Sequence, residues 1–195
     1  IGYLGIRLIR STGLPPTVAD LKMAYHLFFI GIFLTGSGSA YYHLQPDNAS
    51  LLWDRLPMTI LFMAFFCIVI GECISVTVAV RLLLPLLVLG VISVFYWYLT
   101  EQQGQGDLRP YILVQFLPVA LIPVILWLYD GNQKGCLYGC AVLGTYLLAK
   151  VAESMDAAIY QQLDIISGHT IKHLLAGFGT YIVYARLREI KLQLN

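Results

Sequence analysis

The chain has 195 residues, of which 58% are hydrophobic and only 12% charged, with a mean hydropathy of +0.75. Water-soluble domains carry about 25% charged residues, so this composition argues strongly against a soluble globular protein. A net charge of +1 leaves no electrostatic case for nucleic-acid binding. The expectation is a polytopic membrane protein.

In chain order, Ile1–Ile9 is apolar but too short to cross a bilayer, and reads as the end of a helix that starts upstream. The Pro/Gly loop Ser11–Asp20 follows. Further helices are expected over residues 22–44, 54–72, 81–99, 110–129, 136–156 and 167–188. Turn and charge signals separate them at Pro46–Ser50, Glu72–Arg81, Thr100–Pro110 and Tyr129–Gly135. With the partial helix at 1–10 this gives an all-α, seven-helix transmembrane bundle in one domain, residues 1–195. Pro118 and Pro123 are expected to bend the helix over 110–129, which membrane helices tolerate. Cys67, Cys73, Cys136 and Cys140 form no CxxC pair and read as small apolar packing residues.

The orientation follows from the loop cations. Arg7, Arg10, Lys22, Arg81, Lys134, Arg186, Arg188 and Lys191, eight of the twelve basic residues, fall on one side if the helices alternate. That side is expected to be cytoplasmic, with the C-terminus inside. The other side keeps Arg55 and Arg109 with Asp47, Asp54, Glu101, Asp107, Asp156 and Asp164.

Ionisable groups on membrane helices need a reason, since each costs several kcal/mol unless paired or hydrated (~2.5–3.5 on insertion scales). His43, Asp54, His169 and His173 all fall at the same, outer depth, although the topology was set by Lys and Arg alone. His169 and His173 stand at i, i+4 and project from one helical face, the arrangement by which a helix offers two nitrogens to a metal. His43 supplies a third from another helix. Three protein ligands leave the fourth tetrahedral position for water, the form of a catalytic zinc site. Ser39 precedes His43 by four residues and faces the same way one turn deeper. Asp54 is placed to accept a proton from metal-bound water or to orient a histidine. Gly36, Gly38 and Gly168 are expected to allow close backbone approach nearby.

Other polar and aromatic residues have plainer roles. His26 lies about 25 Å along its helix from His43 and is read as structural. Lys150 and Glu153 are an i, i+3 ion pair, and Lys172 is a snorkelling or headgroup-contacting residue. Tyr41, Tyr42, Trp53, Tyr96, Trp97 and Tyr98 read as interfacial aromatics. Asp107 and Arg109 cap a helix and pair in the loop.

Ser39-xxx-His43, ten intervening residues, Asp54, and then His169-xxx-His173 resembles the CREST superfamily of seven-helix membrane hydrolases, alkaline ceramidases above all. The resemblance runs from the second expected helix to the seventh. It implies that His43, His169 and His173 hold Zn2+, that Asp54 activates the zinc-bound water, and that Ser39 steadies the developing oxyanion. It implies hydrolysis of an amide (or ester) bond in a lipid such as ceramide, with the metal site on the periplasmic or lumenal face. Alkaline ceramidases also carry an acidic Ca2+ site before and at the start of the first helix, a segment not contained in this chain. The contrasting expectation is a receptor-like or accessory subunit of a larger membrane complex, with structural metal or none. A channel or transporter is disfavoured, because no series of charges runs across the bilayer.

Overall fold

The computed structural model describes residues 1–11, 13–129 and 133–193, apart from the side chains of 133–136. The expected turn residues Asp130–Asn132 and the side chains of Lys134 and Cys136 therefore lie outside the described residues. Among the described residues all regular structure is helical: α1 (Gly2–Arg10), α2 (Pro16–Asp20), α3 (Lys22–Leu44), α4 (Asn48–Cys73), α5 (Val76–Gln102), α6 (Arg109–Leu128), α7 (Gln133–Ser154), α8 (Asp156–Leu163) and α9 (Gly168–Leu192). Four of these, α3 to α6, are long and apolar enough to cross a membrane. α7 and α9, at 22 and 25 residues, match them in length but carry more polar side chains, including Lys150, Glu153, His169, Lys172 and His173. The nine residues of α1 are too few to cross.

α3 has the expected bounds, while several other ends differ for local reasons. α4 starts at Asn48 rather than residue 54, because Asp47 and Ser50 form a capping box. The Asp47 carboxylate accepts from the Ser50 amide at 2.6 Å, and the Ser50 hydroxyl accepts from the Asp47 amide at 3.1 Å. These hydrogen bonds, the Ser50 amide foremost, hold the Asp47 carboxyl below the usual carboxylate range. The Glu72–Arg81 connection shrinks to Ile74 and Ser75, with the Ser75 hydroxyl accepting from the Val78 amide at 3.5 Å. α7 stops at Ser154, and the separate short helix α8 follows. Asp164 ends α8 in the left-handed region, φ 54°. The Asp107–Arg109 pair forms as expected at 2.8 Å, and Arg109 holds the Asp107 carboxyl well below the usual range.

The most extensive packing is α3 on α4, α4 on α5 and α7 on α9. The main core gathers Phe28, Phe29, Ala64, Cys67, Ile122 and Leu187, and the free thiol of Cys67 is one of its packing groups. A second cluster, around Leu52, Val94, Trp97 and Tyr111, lies between α4, α5 and α6. Trp97 thus departs from the interfacial expectation. It is buried, and the Arg55 guanidinium sits 4.0 Å above its ring.

Polar contacts gather at the two ends of the long helices. At one end Glu72 of α4 pairs with Arg186 of α9 at 2.6 Å and accepts from the Tyr25 hydroxyl of α3. Tyr138 donates to Glu189 at 2.5 Å there, and Lys191 donates to Ser11. His26 also lies towards this end, its Nδ1 2.8 Å from the Lys22 carbonyl, consistent with a structural role. At the opposite end Asn48 donates to Glu101 at 3.1 Å, and α3 meets α9 again through His43 and His169. α3 and α9 are thus tied to each other at both ends, through Glu72 at one and directly at the other.

Candidate metal centre

The site is built from the last turn of α3 and the first turns of α9. Ser167 caps α9, its hydroxyl accepting from the Thr170 amide at 3.2 Å. The Asp156 carboxylate of α8 accepts from the His169 amide at 2.6 Å. Gly168 lets this end of α9 sit directly on the Ala152 carbonyl and the Asp156 backbone, where a Cβ would collide with both. The 168–173 turn is therefore fixed before its imidazoles are considered. On the other side Gly38 brings α3 against the Trp53 carbonyl and the Asp54 backbone, again with no room for a Cβ. The expectation of close approach holds at Gly38 and Gly168. It fails at Gly36, where no atom lies within 4 Å of an added Cβ.

The three histidines converge. His43 Nε2 is 3.0 Å from His169 Nε2, and His173 Nε2 is 2.9 Å from the same atom. Their rings stand nearly edge to face, with centroids 4.7 to 5.9 Å apart, and one nitrogen from each lies within 4.8 Å of the other two. Hydrogen bonding alone does not account for this. A ring nitrogen offers either one proton or one lone pair, so His169 Nε2 satisfies one neighbour and not both. Tetrahedral coordination at 2.0–2.1 Å sets ligand nitrogens about 3.3 Å apart, near the 2.9 and 3.0 Å that separate His169 from its two neighbours, while His43 and His173 lie within 4.8 Å of each other. The donor set fits a divalent metal of the zinc class, with His43 and His173 exposed and His169 half-buried.

Asp54, at the start of the third expected helix and now seven residues into α4, is half-buried and within electrostatic range of Lys172, His43 and His169. Ser39 is half-buried one turn below His43. Among the described residues neither is hydrogen-bonded to a histidine. Sequence reasoning missed three features around them. Lys172 does not snorkel freely: Glu153 holds it at 2.9 Å while also pairing with Lys150 at 2.9 Å, so the expected i, i+3 pair is half of a three-membered network. Asp156 anchors the His169 backbone, a role with no signal beyond a carboxylate at a helix start. Thr35, four residues below Ser39, has a buried hydroxyl without a hydrogen-bond partner.

Below the histidines the helices line a cavity of about 380 Å³ that is partly open at the surface, with Gly36 and Ala176 exposed along it. α3, α4, α6, α7 and α9 all contribute walls, and these are overwhelmingly apolar. His173 lies at one end of it, and Thr35 and Tyr146 are among the few polar side chains it meets. The Tyr146 hydroxyl is occupied, accepting from Gln115 at 2.9 Å. A scan against protein-family models finds no match for the chain, and searches of curated proteins and of solved structures return none either.

Proposed function

We propose that this chain is a zinc-dependent membrane hydrolase that cleaves an amide (or ester) bond of a lipid such as ceramide, in the manner of the seven-helix CREST hydrolases that its Ser/His/Asp/HxxxH pattern resembles. One observation carries the reading: a three-imidazole donor set has one member, His173, in the wall of an apolar cavity between apolar helices. Apolar pockets with a few convergent polar groups are the usual form of a small-molecule site, and a hydrocarbon chain is the ligand such walls accept. On this reading α7 and α9 also cross the bilayer, α1 is part of a seventh crossing, and the histidine end faces the periplasm or lumen.

His43, His169 and His173 would hold the zinc, which would supply a Lewis acid and a water whose pKa is lowered from 15.7 towards ~7. The remaining work falls to the chain. Asp54 accepts the proton that water loses on attacking the acyl carbon, and delivers it to the leaving nitrogen as the C–N bond breaks. Ser39 donates its hydroxyl hydrogen to the oxygen that gains charge. The cavity holds the acyl chain and keeps bulk water from the reacting carbon. The products are a fatty acid and a free amine, with one water consumed.

The test is metal analysis of the purified full chain together with turnover of N-acyl sphingosines before and after chelation. One zinc per chain and an activity lost on chelation and restored by zinc are expected. A metal-free protein that turns over no N-acyl lipid when zinc is supplied would overturn the assignment.

A further inference from the structure

Phe65 of α4 and Val142 of α7 line two separate spaces. On one side is the 380 Å³ apolar cavity that ends at His173. On the other is a space of about 20 Å³, bordered by Tyr25, Glu72, Tyr138 and Arg186. The two side chains therefore form a partition between an apolar chamber and the ion-paired end of the helices. The Phe28 ring, 5.8 Å from Phe65 between centroids, completes the partition from α3. Behind it stands the Glu72–Arg186 pair with the Tyr25 hydroxyl, a poor environment for hydrocarbon.

Resting on the hydrolase reading, we propose that Phe65 and Val142 are specificity-determining residues: they are the floor of the cavity and set the longest acyl chain that the site accepts. The chamber's volume is on the order of a dozen methylene-sized groups, each about as large as the ~30 Å³ share of a liquid water. Met58 and Phe65 both line it and are separated by seven residues of α4, about 10 Å of helix, so a chain of that many groups would fill it only when bent. The occupant is one saturated acyl chain of medium length, with its carbonyl end at the histidines. Gly36 lines the chamber from α3 at its exposed side, and an added Cβ there meets nothing within 4 Å, so a larger side chain at 36 has room beside the chamber.

The test compares parent, Phe65→Ala and Gly36→Leu, each as the full chain. Two readings are taken: displacement of a fluorescent fatty acid by saturated fatty acids of eight to eighteen carbons, and turnover of N-acyl sphingosines of the same lengths. For the parent, each added methylene should tighten binding about fourfold, equivalent to ~0.8 kcal/mol, until the floor is reached and the gain stops. Phe65→Ala should move that break two or three carbons longer, and Gly36→Leu should move it shorter. Gly36→Leu fills open space, so it keeps the question answerable if Phe65→Ala does not fold. Breaks that shift in binding while no variant turns over any lipid would overturn the hydrolase reading and leave the floor standing. A folded Phe65→Ala protein with the parent's chain-length profile in both readings would overturn the floor, and so would a folded Gly36→Leu protein with that profile should Phe65→Ala not fold.

Discussion

On the proposed hydrolase reading Asp54, His173 and Ser39 carry different tasks, so their loss should leave different traces. Asp54→Asn keeps the three imidazoles and should keep zinc content near the parent's, while kcat for lipid amides falls on the order of 10²–10⁴-fold, the usual span for a proton-transfer group. His173→Ala leaves two nitrogens where an open tetrahedral site needs three, and should lose the metal as well as the activity. Ser39→Ala should retain metal and lose about 10²–10³-fold in kcat if its hydroxyl meets the oxyanion. Metal content and single-turnover rates on the three proteins check this. An Asp54→Asn protein that turns over lipid amides as fast as the parent would rule out Asp54 as the proton acceptor. The histidines were legible in the sequence because only four occur and three fall at the ends of apolar runs. Asp156 and the Glu153 bridge to Lys172 were not, since a 13-residue and a 19-residue separation become contacts only once α8 and α7 pack beside α9.

At the scale of the element, the start of α4 depends on Asp47 and Ser50. The folded carboxyl of Asp47 is depressed below its unfolded value of ~3.9. Its capping contribution is therefore complete above that value and fades as the pH falls through the lower folded one. The difference in thermal unfolding between parent and Asp47→Ala should be constant from pH 7 down to about pH 5 and shrink below about pH 4. Asp47→Asn keeps a capping side chain without a titrating group and should show no such loss. A parent–alanine gap that persists unchanged at pH 3 would mean the charge on Asp47 contributes nothing. This cap also explains why α4 starts six residues before its expected limit. Asp, Asn and Ser favour both N-caps and turns, so PDNAS reads as a loop until the reciprocal hydrogen bonds decide otherwise. α3 had no such ambiguity, its apolar run being bounded by Lys22 and by Gln45–Pro46, and its expected limits match. α8 was illegible because eight amphipathic residues without a long apolar run have no membrane signal.

Across the whole molecule, the antiparallel order of the long helices sorts the charges. Lys22, Arg81, Arg186, Arg188 and Lys191 belong to the end with the Glu72 pair, whereas Asn48, Glu101, Asp107 and the histidines belong to the other. Short connections carrying Lys and Arg stay in the cytoplasm, and acidic residues count for little in that rule. The predicted orientation therefore has the histidine end outside, with the 103–106 turn beside it. On a background with the native cysteines replaced, Gln103→Cys should react in intact cells with an impermeant thiol reagent. Arg188→Cys should react only after the membrane is opened. Gln103 is exposed at the end of α5, outside the packed helices, so failure to label would not be explained by burial. The reverse pattern would turn the molecule over and put the three histidines on the cytoplasmic face. The donor geometry and the cavity are unaffected by that inversion, so the labelling result decides the compartment of the chemistry separately from whether the chemistry occurs.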